Sequence, residues 1–377
     1  MDLLKLETPC LVLDKEKIKK NISYLHKRME HLGVNLRPHG KTAKNIDIIK
    51  MALAGQPGGI TVSTLKEAEY YFSHGIEDIV YAVGIAPVKL DRIASIIKNG
   101  AQITVILDSI EQVRFVAAKA QQYGLNIPIL IELDCDGHRS GVTLGDSLLV
   151  DIGNLLNSED GVILGGVLTH AGESYQCKSV DDIRALAEVE RDMAARSAEI
   201  LRQNGLPCPI VSVGSTPTAN FAEDLTGITE VRAGVFMFYD LVMAGLGVCD
   251  VRDIAISVLT SVIGHQKGKG WVITDAGWMA LSRDRGSASQ KVDQGYGLVC
   301  NVEGEPLTDL IVSSTNQEHG IIADHGGKEL DRELFGIGSV VRILPNHACT
   351  TGAMHDRYYI INGATEIIDV RHRINGW

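Results

Sequence analysis

Several absences bound what this sequence can be. No apolar stretch approaches the ~20 residues that a membrane-spanning helix needs; the longest, Ala255–Gly264, is interrupted by Ser257, Thr260 and Ser261. The opening segment MDLLKLETPC has no basic stretch followed by an apolar run, so no secretory leader is expected there. Basic residues are in deficit, 36 Lys and Arg against 47 Asp and Glu, for a net charge of −11. That excludes a nucleic-acid or anionic-membrane partner held by bulk charge, because counterion release needs clustered Lys and Arg. No C-x-x-C pair occurs among the seven cysteines, at 10, 135, 177, 208, 249, 300 and 349. An odd, scattered set in a chain of 377 residues reads as reduced thiols of a cytoplasmic protein, most of them in the core.

What is present is a rhythm. From residue 34 to residue 240, short β-branched runs end in polar or glycine-containing turns, and a helical stretch follows each. The runs are 34–39, 59–63, 78–83, 103–108, 127–134, 162–169, 209–215 and 230–236. Side-chain caps with acids in the first turn, at Ser63–Glu67 and Asp108–Glu111, mark helix starts. Gly100, Gly124 and Gly205 mark helix ends. Eight strands alternating with helices over roughly 210 residues is the count and size of a (β/α)8 barrel of TIM type. A doubly wound open sheet is the alternative, but no GxGxxG opens an early helix, which favours the barrel. Beyond Asp250 the strand signals follow one another without helices: 255–265, 270–275, 296–301, 309–314, 338–344, 357–362 and 367–373. That is the pattern of an antiparallel β domain. The run Thr8–Asp14 has no partner in the barrel rhythm and is expected to pair into the β domain. The expected division is a barrel over 15–250 and a β domain made of 1–14 and 251–377.

Barrels carry their chemistry where strands end and βα loops begin. The first loop, RPHGKTAK, collects Arg37, His39, Lys41 and Lys44. The fifth, DCDGHRSGV, has Asp134, Asp136, His138 and Arg139, and the sixth, LTHAGESY, has Thr169, His170, Glu173 and Tyr175. The eighth, RAGVFMFYD, has Arg232, Gly234, Tyr239 and Asp240. The seventh is the small-residue turn VGSTPT, which has two readings. It is an ordinary capped turn, or a phosphate cradle using the N–H groups of Gly214, Ser215, Thr216 and Gly234 with two hydroxyls. A phosphate cradle on one side and a mouth lysine on the other is the layout for pyridoxal 5′-phosphate (PLP) held as a Schiff base. Lys41 directly follows an apolar strand; Lys44 falls one turn into the next helix and is the second choice. In the β domain His347 and Cys349 are two apart, and in extended chain both project to one face. Such a pair suits a single Zn²⁺ or similar divalent ion with positions left for water and substrate. The same H-x-C spacing also arises by chance.

Seven motifs stand in order across nearly the whole chain: TPCLVLD, LRPHGKTAK, DCDGHRSGV, LTHAGESY, VGSTPTA, RAGVFMFYD and LPNHACTT. Together they resemble the alanine-racemase-like, fold-type III PLP enzymes. Within these they look most like the D-serine dehydratase and D-threonine aldolase group, and nearest the zinc-dependent D-serine and D-3-hydroxyaspartate dehydratases. The resemblance implies that Lys41 is the Schiff-base lysine and the base at Cα. It implies Arg139 on the cofactor's phenolic oxygen, and His170 stacked on the pyridine ring. Gly214, Ser215, Thr216, Gly234 and Val235 would hold the phosphate, and His347 and Cys349 the metal beside the substrate β-hydroxyl. Tyr175 is the expected partner of the pyridine nitrogen from its loop position. The implied reaction is dehydration of a D-β-hydroxy amino acid to a 2-oxo acid and ammonia. A D-threonine-type aldolase and a PLP-dependent racemase are the alternatives. Aldolases of the group carry Asp at the second metal position, so Cys349 leans towards the dehydratases. Two departures touch the substrate side: Ala43 and Glu173 stand where many relatives have His. A homodimer is implied too, since fold-type III sites often lie at the subunit interface.

Overall fold

The computed structural model describes residues 2–266, 268–330 and 335–377. Strand β1 (Cys10–Asp14) comes first. Eight strands then alternate with helices: β2 (Asn35–Pro38), β3 (Ile60–Val62), β4 (Asp78–Tyr81), β5 (Gln102–Leu107), β6 (Ile127–Leu133), β7 (Val162–Thr169), β8 (Ile210–Val213) and β9 (Glu230–Ala233). They pair in parallel in the order β2-β9-β8-β7-β6-β5-β4-β3. A bridge from His39, just beyond β2, to Thr61 in β3 closes the ring. Inside it, Val80, Ile106, Leu130 and Leu168 from four successive strands pack together, all nearly inaccessible. The helices form where the caps indicated. Ser109 accepts from the Gln112 amide to start Ile110–Tyr123, and Gly124 ends it at φ 63°. A Ser179–Asp182 capping box starts Val180–Gln203, whose buried stripe includes Ile183, Ala187, Ala194 and Leu201.

The remaining strands are β10 (Ile256–Gln266), β11 (Trp271–Thr274), β12 (Leu298–Cys300), β13 (Pro306–Thr315), β14 (Gly320–Asp324), β15 (Val340–Leu344), β16 (Arg357–Ile361) and β17 (Ile367–His372). Six of them close an antiparallel ring, β10-β11-β14-β13-β12-β15 and back to β10. Strand β1 pairs antiparallel with β10 from Cys10↔Leu259 to Leu13↔Ile256, and takes β16 in parallel on its other edge, with β17 outermost. The N-terminal run therefore pairs where the sequence placed it. Strand β14 lay outside the predicted set.

The chain divides into two compact units, Tyr24–Gly234 with Gly376–Trp377, and Met1–Ser23 with Val235–Asn375. The sequence reading set its boundaries at 14/15 and 250/251. Residues after β9 group with the β unit because their backbone is bonded there. Leu241 and Val242 donate to Pro345 and Asn346, and Ala255 donates to Phe238. All seven cysteines are free thiols, with Cys10, Cys208 and Cys300 buried. Among the described residues no helix is long and apolar enough to cross a membrane.

Candidate active site

The four basic side chains of the first βα loop separate on folding. Arg37 turns to the opposite end of the barrel, where its guanidinium bonds Glu230 at 2.7 Å and Asp78 at 3.0 and 2.9 Å, the first residues of β9 and β4. Lys44, at φ 46°, pairs its Nζ with the buried Glu67 carboxylate at 3.1 Å. His39 is kept neutral: burial, then the charges of Lys41 and Arg232, hold its pKa well below the usual range. Its Nδ1 accepts the Lys41 amide at 3.3 Å, which leaves the proton on Nε2, 3.4 Å from Ser63 Oγ. Only Lys41 keeps an exposed amine with no ion pair among the described residues.

His170 directly follows β7. Its Nδ1–H donates to the Gly214 carbonyl at 2.8 Å. Burial brings its pKa down to about 3 against the pull of that bond, and the charges of Lys41, Arg139 and Arg232 add to the fall. The ring is therefore neutral in neutral solution. The Tyr175 ring stands beside it, 6.2 Å between centroids and tilted by 41°. Arg139 is exposed on the loop after β6. That loop is tied to the next by His138 Nδ1 and Glu173 Oε1 at 2.7 Å, and by the Glu173 amide on Asp136 at 2.8 Å.

The turn VGSTPT is built for close approach. Gly214 sits at φ 135°, and a Cβ there would collide with the Arg232 carbonyl, so only glycine fits. The amides are not all free, however. Gly214 N–H donates to Glu190 at 3.0 Å and Ser215 N–H to Thr218 Oγ1 at 3.1 Å. Ser215 caps the helix Thr216–Phe221, and the Thr216 hydroxyl is buried with no partner among the described residues. Gly234 lies where a Cβ would press on Thr42 and His39. Val235, buried, opens the 3₁₀ turn Val235–Met237. An orphaned buried hydroxyl at a bare glycine turn is what a phosphate oxygen would complete, so the residues fit the PLP phosphate.

In the β unit, His347 and Cys349 are not both on extended chain. His347 is extended and holds the N-cap position of the helix Ala348–Ala353 without a side-chain cap bond, and Cys349 lies in the first turn of that helix. The cause is local: Pro345 and Asn346 follow the end of β15, and the Thr351 amide and Thr350 hydroxyl both bond the His347 carbonyl at 3.1 Å. The two side chains still meet. His347 Nδ1 is 2.7 Å from Asp284 Oδ2, and the imidazole also contacts the Cys349 side chain. Burial alone would lower the His347 pKa, but Asp284 and Cys349 carry it up to about 11. The bond to His347 holds the Asp284 carboxyl below its ordinary range. Asp240, 2% exposed, accepts the Ala348 amide at 2.9 Å and so fixes the residue between the pair. A carboxylate on Nδ1 leaves Nε2 for a metal, the usual arrangement behind a ligating histidine. No third His, Cys, Asp or Glu joins the pair as a metal-sized cluster among the described residues. A nitrogen–sulfur pair with open positions fits a catalytic Zn²⁺-type ion.

A family model described as "Alanine racemase, N-terminal domain" matches residues 13–241, and "Putative serine dehydratase domain" matches 255–361. The chain belongs to the alanine-racemase-like family of PLP-dependent enzymes. Within it this lyase is 48% identical over 378 residues to D-threo-3-hydroxyaspartate dehydratase of Delftia sp. (strain HT23), across 100% of this chain and 99% of that one. It is 31% identical to D-serine dehydratase of Dictyostelium discoideum, across 98% and 96%. A cysteine-to-alanine variant of D-threo-3-hydroxyaspartate dehydratase, solved in the metal-free form, superposes with a TM-score of 0.98 at 47% identity over 100% of both chains.

Two residues escaped the sequence reading: Asp284, which orients His347, and Glu190, which braces the barrel loops; Arg232, read among the residues of the eighth loop, lies within β9 and braces them too. Arg232 is buried and bonds Ser212 Oγ and the Thr169 carbonyl, each at 2.6 Å. Nothing in the sequence links Asp284 to a histidine 63 positions away. Glu190 did leave a signal, an acid on the buried stripe of its helix.

Proposed function

We propose that this lyase dehydrates a D-β-hydroxy amino acid, of the D-3-hydroxyaspartate or D-serine type, to a 2-oxo acid and ammonia, using PLP and Zn²⁺ or another divalent metal. The observation that carries the reading is the His347–Cys349 pair with Asp284 behind it, a nitrogen–sulfur donor set that a metal-independent racemase would not need. When bound, PLP supplies an electron sink that acidifies the substrate Cα–H, and the metal supplies a Lewis acid at the β-oxygen.

The chain's own residues divide the remaining work. Lys41 holds the cofactor and, as the exposed free amine, takes the proton from Cα. His170, kept neutral by burial, lays an uncharged ring on the pyridine. In this reading Tyr175, beside that ring, would meet the pyridine nitrogen and Arg139 the phenolic oxygen. Thr216 offers its hydroxyl to the phosphate; Gly214, Ser215, Gly234 and Val235 shape the turn around it. His347 and Cys349 hold the metal at the leaving hydroxyl. The dehydratase names of the two relatives support elimination over Cα–Cβ cleavage. Seven free thiols support a reducing, cytoplasmic setting, and a homodimer belongs to the same proposal.

The test is one product assay on the holoenzyme with D-serine, D-threonine and D-3-hydroxyaspartate, scoring 2-oxo acid, aldehyde and L-enantiomer separately. Equimolar 2-oxo acid and ammonia are expected. Aldehyde as the main product makes the protein an aldolase, and L-enantiomer makes it a racemase; either overturns the proposal.

A further inference from the structure

Glu190 takes no part in the roles above, yet its bonds all end on the loops that perform them. It sits midway along the helix Val180–Gln203, on the face that buries Ile183, Ala187, Ala194 and Leu201, and is 2% exposed. A carboxylate on such a stripe is costly unless every lone pair is used. Its Oε1 accepts the Ala171 amide at 2.9 Å and the Gly214 amide at 3.0 Å, and Oε2 accepts the Thr218 hydroxyl at 2.7 Å.

These partners come from two βα loops. Ala171 follows His170, while Gly214 and Thr218 begin and end the turn around Ser215 and Thr216. Gly214 is held through both its backbone groups, since its carbonyl receives the His170 Nδ1–H. A second link runs parallel to the first. The fully buried Ser174 hydroxyl donates to the Ala171 carbonyl at 2.7 Å and lies 2.8 Å from Ser215 Oγ. The helix is already seated by its apolar stripe, so a carboxylate adds little to packing that Leu or Met would not. What it adds is a fixed spacing between the ring-side loop and the phosphate-side turn.

We infer that Glu190 is a positioning residue that locks the His170 loop to the Gly214–Thr218 turn before the cofactor arrives. The inference rests on the PLP reading of that turn. It predicts that loosening Glu190 weakens cofactor binding more than it weakens the fold.

The test compares apoenzyme of the parent, E190D and E190Q. E190D withdraws the carboxylate by one methylene, about 1.5 Å, from both amides. E190Q keeps the length and a carbonyl for the two N–H groups, and the Thr218 hydroxyl can rotate to accept from the new amide. PLP titrated into E190D is expected to bind about tenfold more weakly than to the parent, and into E190Q within about threefold. The visible circular dichroism of bound cofactor should change in E190D and recover in E190Q. Amide exchange at Ala171 and Gly214 should quicken in the E190D apoenzyme. Parental affinity, dichroism and exchange in E190D, even with a lowered Tm, overturn the inference and leave Glu190 a purely structural group. Failure of the parent itself to bind PLP would instead refute the cofactor reading, and the exchange rates would still decide whether Glu190 ties the loops.

Discussion

Between Arg37 and Lys44 the surroundings decide which side chain is left to react. Arg37 and Lys44 are neutralised by carboxylates and His39 by burial, so of the four only the amine of Lys41 has no ion pair among the described residues. Borohydride reduction of the holoenzyme followed by peptide mapping should place the cofactor on Lys41, and Lys41→Ala should lose both activity and the visible absorbance. A label on Lys44 would refute this. Lys44→Ala should keep the label but strand the buried Glu67, lowering stability in urea unfolding by about 3 kcal/mol. His170 gives a pH signature. Its native pKa, about 3, lies below the ordinary histidine value of 6.5. The unfolded chain therefore binds a proton that the native ring refuses. Its contribution to stability is full above about pH 6.5 and is lost as the pH falls towards 3, by up to about 1.4 kcal/mol per unit. Urea midpoints across that range should fall accordingly, and His170→Gln should flatten the slope. Residue types at the loops were legible in the sequence, but their partners were not. Arg37 finds Glu230 193 positions away, a pairing that only the closed barrel creates.

Among the elements, the parallel strands were read most closely, because strands covered on both faces are continuous apolar runs between polar turns; Val162–Thr169 was placed to the residue. The helix Lys15–His31 was not in the predicted rhythm, since its sequence KEKIKKNISYLHKRMEH is dominated by charge. Strand Gly320–Asp324 is five residues with Gly at one end and Asp at the other, too little alternation to register. The H-x-C pair was assigned by the wrong geometry: extended spacing was assumed where a helix begins. The turn after β8 gives the prediction at this scale. Gly214→Ala forces a Cβ into the Arg232 carbonyl at a φ of 135°. It should cost roughly 3 kcal/mol of stability and lower cofactor affinity in apoenzyme titration; unchanged values would mean that the turn is slack.

For the molecule as a whole, both barrels are closed by backbone pairing, and neither ring depends on a metal for closure. Chelation should therefore abolish turnover while circular dichroism and bound-cofactor absorbance persist, and Zn²⁺ should restore activity. Full turnover in a rigorously metal-free preparation would remove the Lewis acid from the reaction. The net charge of −11 stands without conflict beside the proposed phosphate site, because that site would be local, a glycine turn with the Thr216 hydroxyl. One further consequence follows from strand β1, which lies between β10 and β16. During synthesis it leaves the ribosome before either partner, and the parallel one, β16, follows about 350 residues later. At typical elongation rates of ~5–20 residues per second, that is a wait of roughly 20–70 s. For that interval the newborn chain carries an apolar strand with at least one edge unpaired, which makes Cys10–Asp14 a natural target of holding chaperones.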